Sequence, residues 1–447
     1  MKVMVVGAGE VGFHIADLLC RERHDVTVVE RSGPHARHLR NKLNALVIEG
    51  NGASIQVLEE AHVARTDMFI AVTDLDEVNL IACLLAHDRG ARRIIARLKA
   101  LEYTKTEWKR NADKLGIDLI VNPQIVVAEE IFHAVSYTAA CEVAEFAHGR
   151  VVFLGYPIRQ NSPLAGVSMR TLGEIRGLYR MVVTAISRNG RTIMPRGEDV
   201  VEPGDTLYFV CNKRDLPAIT DLFGFEERET KNVFVLGGGK IGSEVAAKLA
   251  ALRYRVKIIE RDPADCEELA ASLEGVTVLN TRGTDIETLK NEGLERGDVF
   301  IAVTQDDQSN ILCSLLAKRH GVRRAIALVN KPEYVNLAPT LGIDFCISPR
   351  LATASAILKS VRQAGVVSMA MLEQSDSEVT EFLLPRESPV LHQSLKSLAI
   401  PPGAIVGAIV RGNDAIVPSG EDHFEAGDHV VVFSLPQSAS AVAEFFS

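Results

Sequence analysis

Along the first 120 residues, short runs of β-branched and aliphatic residues recur, each followed by a longer stretch with a helical return of apolar positions. The runs at 2–6, 26–29, 45–48, 68–72, 93–97 and 119–121 have strand length, and the segments between them have helix length. Strands alternating with helices predict βαβ crossovers and a parallel, doubly wound sheet. The same texture returns at 233–236, 256–259, 276–279, 299–303, 325–329 and 345–347. After the sixth strand each half changes character. An apolar helix is predicted at 125–137 and again at 352–362, followed by closely spaced short strands. "MVVTAISRNGRTIMP" (181–195) carries an Asn189-Gly190 hairpin turn, and "AIVGAIVRGNDAIVP" (404–418) is of the same kind.

Two stretches, "VVGAGEVG" (5–12) and "VLGGGKIG" (235–242), show that this resemblance between halves is a duplication. Gly7, Gly9, Gly12 and Glu30 match Gly237, Gly239, Gly242 and Glu260, each at a shift of 230. "DMFIAVTDLDEVNLIACLLA" (67–86) matches "DVFIAVTQDDQSNILCSLLA" (298–317), and "GEDVVEPGD" (197–205) matches "GEDHFEAGD" (420–428). The predicted fold is therefore α/β: two tandem Rossmann-type doubly wound parallel sheets, each followed by a small α+β domain. The expected bounds are 1–123 and 232–349 for the Rossmann units, and 141–224 and 366–447 for the small domains. The polar run "FEERETK" (225–231) is the expected joint.

Each G-x-G-x-x-G follows an apolar strand, opens a helical pattern and has an acidic residue 18 positions after its last glycine. That context turns a weak motif into a dinucleotide-binding fingerprint. The first glycine permits the tight turn, the second admits a pyrophosphate and the third lets helix pack on strand. The helix N-terminus offers free N–H groups and partial positive charge to phosphates. Gly7, Ala8, Gly9, Glu10, Val11 and Gly12 form the first candidate cradle, and Gly237, Gly238, Gly239, Lys240, Ile241 and Gly242 the second. Glu30 and Glu260 would accept hydrogen bonds from ribose hydroxyls and repel a 2′-phosphate, which favours NAD(H) or an adenine nucleotide over NADP(H).

Further candidates stand at the carboxyl ends of strands, where open α/β sheets place ligands. Thr73 and Asp74 end the fourth strand, opposite Thr304 and Gln305 in the repeat; helix-cap chemistry is their alternative role. Asn51, Gly52 and Ala53 follow the third strand, with the glycine suited to close approach of adenosine. Arg97 ends the fifth strand within reach of a phosphate, or forms an ordinary ion pair. Asn330 is expected in its place in the second half, so the two sites should differ. Lys240 against Glu10 is a second difference bearing on phosphate charge.

Composition narrows the function classes. A net charge of −9 argues against broad nucleic-acid binding and against docking on anionic lipid. Apolar stretches such as "IPPGAIVGAIV" (400–410) fall short of the roughly 18 residues a spanning helix needs. "MKVMVV" runs directly into the first glycine turn, which leaves no place for a secretory signal. The seven scattered cysteines, without C-x-x-C, read as reduced thiols of a cytosolic protein. Twelve histidines form no recognisable acid–base or metal constellation. A nucleotide sensor is the expected function, with no catalytic or metal residues; an NAD-dependent dehydrogenase with duplicated domains is the rival.

The motifs "GAGEVG…VVER", "GNGAS", "AVTDLDEVN" and "SPLAGVSMRTL", in tandem over essentially the whole chain, resemble the peripheral regulatory subunit of the bacterial Trk potassium-uptake system. That family is built from two KTN/RCK modules, each with an N-terminal Rossmann and a small C-terminal domain. The resemblance implies a cytosolic protein that binds NAD(H), often with ATP or ADP, and forms dimeric or tetrameric rings. Those rings dock on the cytoplasmic face of an integral-membrane potassium-translocating subunit and gate it, without lipid insertion. It carries nucleotide contacts onto Gly7 to Val11, Glu30, Thr73, Asp74 and Arg97, and onto Gly237 to Ile241 and Glu260. Many relatives have Asp where Asn51 stands, so a carboxylate contact expected there is missing. The helix at 125–137 is either a dimer contact and hinge or an ordinary core helix. Another cation carrier, such as a proton antiporter, is an alternative partner.

Overall fold

The fold was analysed in a computed structural model of the chain. It describes residues 1–446 except 22, 105, 138–139, 176–179, 225–230, 362–365 and 373–376. Most of the joint expected at 225–231, and Arg362 at the end of the second apolar helix, thus lie outside the described residues.

The first half opens with β1 (Lys2–Val6), α1 (Glu10–Arg21), β2 (Asp25–Glu30), α2 (Gly33–Lys42), β3 (Leu46–Glu49) and α3 (Ile55–Glu60). It continues with β4 (Met68–Ala71), α4 (Asp76–Asp88), β5 (Arg93–Arg97), α5 (Thr106–Lys114), β6 (Leu119–Val121) and α6 (Pro123–Ser136). The six strands form one parallel sheet in the order β3-β2-β1-β4-β5-β6. The order reverses between β1 and β4, which opens a crevice at their carboxyl ends. β4 is buried at every position, as a strand covered on both faces must be.

A small domain follows: β7 (Glu142–Phe146), β8 (Val151–Pro157), α7 (Met169–Ile175), β9 (Met181–Arg188), β10 (Arg191–Ile193), β11 (Thr206–Asn212) and α8 (Leu216–Leu222). Its antiparallel sheet runs β10-β9-β11-β8-β7. Asn189 and Gly190, both at positive φ (51° and 73°), make the predicted turn between β9 and β10.

The second half repeats the plan. Its parallel sheet comprises β12 (Asn232–Leu236), α9 (Lys240–Ala251), β13 (Arg255–Glu260), α10 (Pro263–Ser272), β14 (Val276–Asn280) and α11 (Ile286–Asn291). β15 (Val299–Ala302), α12 (Asp307–Arg319), β16 (Arg324–Leu328), α13 (Pro332–Thr340), β17 (Phe345–Ile347) and α14 (Pro349–Val361) complete it. The order β14-β13-β12-β15-β16-β17 is that of the first sheet. β18 (Val366–Met371), β19 (Glu378–Leu383), β20 (Ala404–Arg411), β21 (Asp414–Ile416), β22 (His429–Ser434) and α15 (Ala439–Phe446) form the second small domain, ordered β18-β19-β22-β20-β21.

The chain folds into two compact units that cut across the duplication. One holds both parallel sheets (1–132 and 232–361), the other both antiparallel sheets (133–231 and 362–447). In the first unit α1 packs against α14 of the other half. Reciprocally, Lys248 on α9 lies 3.4 Å from Glu129 on α6. In α6, Val127, Ala128, Ile131, Ala134 and Val135 are buried, so this helix is core along one face. In the second unit the two sheets share one apolar layer containing Phe153, Tyr208, Val210, Val379, Val431 and Phe433. Gly407 permits this contact, because a Cβ there would stand 2.7 Å from Val210.

Each small domain is pinned by the same buried ion pair. Arg188 donates to both oxygens of Asp205 at 2.8 Å, and Arg411 to both oxygens of Asp428 at 2.9 Å. Both aspartates are 1% exposed. Removal of one partner leaves a buried charge without its counter-ion. Arg188→Met should therefore destabilise the small-domain unit by ~3 kcal/mol, the low end for a buried pair because Arg188 is itself partly exposed. Urea unfolding of the full chain, followed by tyrosine and tryptophan fluorescence, measures this.

Candidate functional site

The turn between β1 and α1 is built by its glycines. Gly7 adopts φ +91° and donates its N–H to the Val29 carbonyl at 2.9 Å, so the turn hangs on β2. A Cβ on Gly12 would stand 1.9 Å from the Gly7 carbonyl oxygen, so helix and turn touch with no room for a side chain. Nothing lies within 4 Å of the equivalent position on Gly9. The middle glycine faces open space in front of the first N–H groups of α1, which no residue of the helix can accept. The second half reproduces all three features: Gly237 at φ +102°, Gly242 at 1.9 Å from the Gly237 oxygen, and Gly239 open.

Glu30 at the end of β2 is fixed by backbone donors. Its Oε2 accepts from Ala8 N–H at 2.9 Å and its Oε1 from Ser32 N–H at 2.8 Å. Glu260 accepts from Gly238 at 2.9 Å and from Arg261 at 2.7 Å. A carboxylate has about four acceptor positions, so each retains capacity for a ligand hydroxyl. Glu10 and Lys240 are exposed at the first positions of α1 and α9; Val11 behind the first is buried and Ile241 behind the second half-buried.

A cavity of about 680 Å³ lies over the first glycine turn. Gly7, Gly9, Glu10, Val11, Glu30, Asn51, Thr73, Asp74 and Arg97 all line it, whereas Ala8 and Gly12 do not. The far wall belongs to the other half: Asn330 after β16 and Pro349–Arg350 at the start of α14, beside Pro123 at the start of α6. Sequence reasoning did not bring these residues to the first site; Asn330, Pro349 and Arg350 stand more than 200 positions from the glycine turn. It also missed His35, which lines the cavity and whose Nε2 lies 2.8 Å from the Ala8 carbonyl oxygen.

The ends of β4 and β5 are tied by Asn79, wholly buried in α4. It accepts from the Thr73 N–H (2.9 Å) and hydroxyl (2.7 Å) and donates to the carbonyls of Thr73 (3.0 Å) and Arg97 (2.7 Å). Asn310 does the same for Thr304 and Leu328. The Thr73 and Thr304 hydroxyls thus serve the strand ends. Asp74 receives Lys99 at 3.0 Å and Arg97 at 3.3 Å; the Lys99 hydrogen bond, above all, holds its carboxyl below the ordinary range.

One expectation needs correction. Pairing of Ala71 with Ala96 and of Ala302 with Ala327 makes Leu328 the counterpart of Arg97, and Asn330 the counterpart of Lys99. Gly52 lines the cavity and is also required by packing, since a Cβ there would stand 2.1 Å from Val6. Asn51 closes an Asx turn on Ala53 N–H at 3.0 Å.

Residues 3–123 and 233–349 match the TrkA-N domain, and residues 153–224 and 379–447 the TrkA-C domain. The chain belongs to the TrkA family. A TrkA homologue of Archaeoglobus fulgidus, described as a Trk system potassium uptake protein, is 34% identical over the whole of both chains. The Trk system potassium uptake protein TrkA of Halomonas elongata is 34% identical over 97% of this chain and 96% of its own. Among solved structures, the GsuK RCK domain superposes with a TM-score of 0.60 at 21% identity, covering all of this chain and 94% of that one. The GsuK channel bound to NAD gives the same score over 100% and 78%. These likenesses establish the RCK fold for this TrkA-family chain. Among the described residues, no helix is long and apolar enough to cross a membrane.

The glycine geometry separates packing from binding. Gly12→Ala and Gly242→Ala should each cost ~1–3 kcal/mol of stability through overpacking. Gly9→Ala and Gly239→Ala should each cost less than ~1 kcal/mol, the range of N-cap substitutions. Denaturant midpoints of the four variants check this order.

Proposed function

We propose that this TrkA-family chain is a nucleotide-sensing regulatory subunit, that it binds NAD(H) or an adenine nucleotide in its glycine-turn crevices, and that it gates a potassium-translocating membrane protein. The observation that carries the reading is the open space in front of Gly9 and Gly239. Each faces a helix N-terminus, with a carboxylate anchored beside it on the neighbouring strand. In that arrangement the pyrophosphate takes the helix N–H groups, and Glu30 or Glu260 takes ribose hydroxyls. A GsuK channel of the same fold binds NAD, which supports the ligand class. Thr73, Asp74, Asn51 and Arg97 in the first half, and Thr304 in the second, complete the proposed contacts at the strand ends.

Regulation requires that the ligand discriminate between two states of the protein. The first cavity is lined by both halves, so a bound nucleotide would favour one spacing of the paired parallel sheets. The chain passes from the parallel-sheet unit to the antiparallel-sheet unit within α6 and after α14, and these helices would carry the change. Assembly as a homo-oligomeric ring on the inner face of the membrane, through the membrane protein and not through lipid, is part of this proposal. So is the absence of catalysis. A potassium carrier is favoured over another cation carrier because the curated relatives are named for potassium uptake.

Calorimetric titration with NADH, NAD, ATP and ADP should show binding events removed separately by Gly9→Asp and Gly239→Asp. Binding that survives both substitutions would place the ligand elsewhere, and binding of nothing by the parent chain would end the sensor reading.

A further inference from the structure

The antiparallel-sheet unit has a cavity of its own, of about 340 Å³. Gly149 and Arg150 line it ahead of β8, and Asn212, Lys213 and Arg214 line it at the end of β11. Asn413 and Ala415 of the second small domain close it. Three cations thus border one small cavity of an acidic chain, and no carboxylate stands among the described lining residues. The shared fold does not require them. Alignment of Asp205 with Asp428 puts Leu435, Pro436 and Gln437 at the positions of Asn212, Lys213 and Arg214.

The cations are brought together by backbone and are only partly engaged. Lys213 N–H donates to the Arg150 carbonyl at 2.9 Å, which joins the two segments. The Arg150 guanidinium donates through one nitrogen to the Gly412 carbonyl of the other small domain, and a guanidinium has five N–H donors. The turn that carries Arg150 is strained: Ala147, His148 and Gly149 stand at φ 50°, 57° and 79°. Such a turn persists only where its surroundings fix it. Here Ala147 N–H donates at 3.0 Å to Glu381 of the second small domain, which is 1% exposed. The Arg214 side chain is exposed and makes no hydrogen bond or ion pair among the described residues. Lys213 lies 2.7 Å from Glu145, which also accepts from the Tyr137 hydroxyl at 2.6 Å, directly after α6.

A cavity at the lower end of the range for ligand pockets suits a molecule much smaller than a dinucleotide. Guanidinium forks and an ammonium suit oxygens that carry negative charge. We propose that this cavity is a second effector site, separate from the glycine-turn crevices, which takes a small multivalent oxyanion bearing phosphate or carboxylate groups. Arg150, Lys213 and Arg214 hold the anion from one small domain and Asn413 from the other. The anion competes with Glu145 for Lys213, so its binding loosens the tie between Lys213 and the end of the crossover helix at Tyr137.

The test is calorimetric titration of the full chain with pyrophosphate and with citrate, in buffer free of phosphate and divalent cations. Gly9→Asp and Gly239→Asp are present throughout, which keeps pyrophosphate off the glycine turns. At least one probe should bind, and the tighter of the two identifies phosphoryl or carboxyl groups as the preferred chemistry. Arg214→Gln should weaken it by ~10-fold, the low end for a hydrogen bond to a charged group because Arg214 is exposed. Asn413→Asp, which sets a carboxylate against the ligand, should weaken it at least as much. Glu145→Gln should tighten it by ~2- to 5-fold, since it frees Lys213 from a partly exposed ion pair. Arg319→Gln, at an exposed cation of the parallel-sheet unit, should leave it unchanged. Binding of neither probe would overturn the proposal. So would an equal loss in Arg319→Gln, which would mean attraction to overall charge, or unchanged affinity in Glu145→Gln, which would mean no competition for Lys213.

Discussion

The contact between the third glycine of each fingerprint and the carbonyl of the first is the constraint on which the crevices depend. Gly12 against Gly7, and Gly242 against Gly237, bring the first helix onto the turn with no side chain between them. That approach aims the helix N-terminus along the carboxyl ends of the strands and leaves the middle glycine facing open space. The carboxylates of Glu30 and Glu260 then lock the turn by accepting a backbone N–H from Ala8 or Gly238. A group proposed to read ribose is thus first a structural strut. Its position is fixed before a ligand arrives, which lowers the ordering cost of binding.

Duplication preserved this scaffold and varied what lines it. The strand-tying asparagines, Asn79 and Asn310, make the same bonds in both halves, as do the buried pairs Arg188–Asp205 and Arg411–Asp428. Among the positions where the halves differ, three bear on the charge at the crevices: Glu10 against Lys240, Arg97 against Leu328, and Gln124 against Arg350. Equivalent folds with unequal charge at their crevices give the two halves unequal surfaces to any ligand.

The strands of both parallel sheets were legible because each is a short β-branched run bounded by turn residues, and every one falls within a residue or two of its reading. The Asn189-Gly190 hairpin was legible because only a turn with two positive φ values demands that pair. The glycine turns and their acidic partners were legible because their roles are local in sequence. What escaped was non-local. Nothing in "SPRLAT" (348–353) tells that Arg350 lies over a turn at the opposite end of the chain. The match of Asn330 to Arg97 failed because strand register, not the end of an apolar run, sets the alignment. The RCK fold and the TrkA family are now secure; the ligands and the gating are the reading proposed above.

Potassium flux through the membrane subunit of the same transport system, reconstituted in vesicles with this chain bound outside, tests the central claim most directly. NADH, NAD, ADP and ATP would be added in turn. At least one should change the flux several-fold, and a chain carrying both Gly9→Asp and Gly239→Asp should bind the vesicles yet abolish that response. A flux indifferent to all four nucleotides with the parent chain bound would contradict the account.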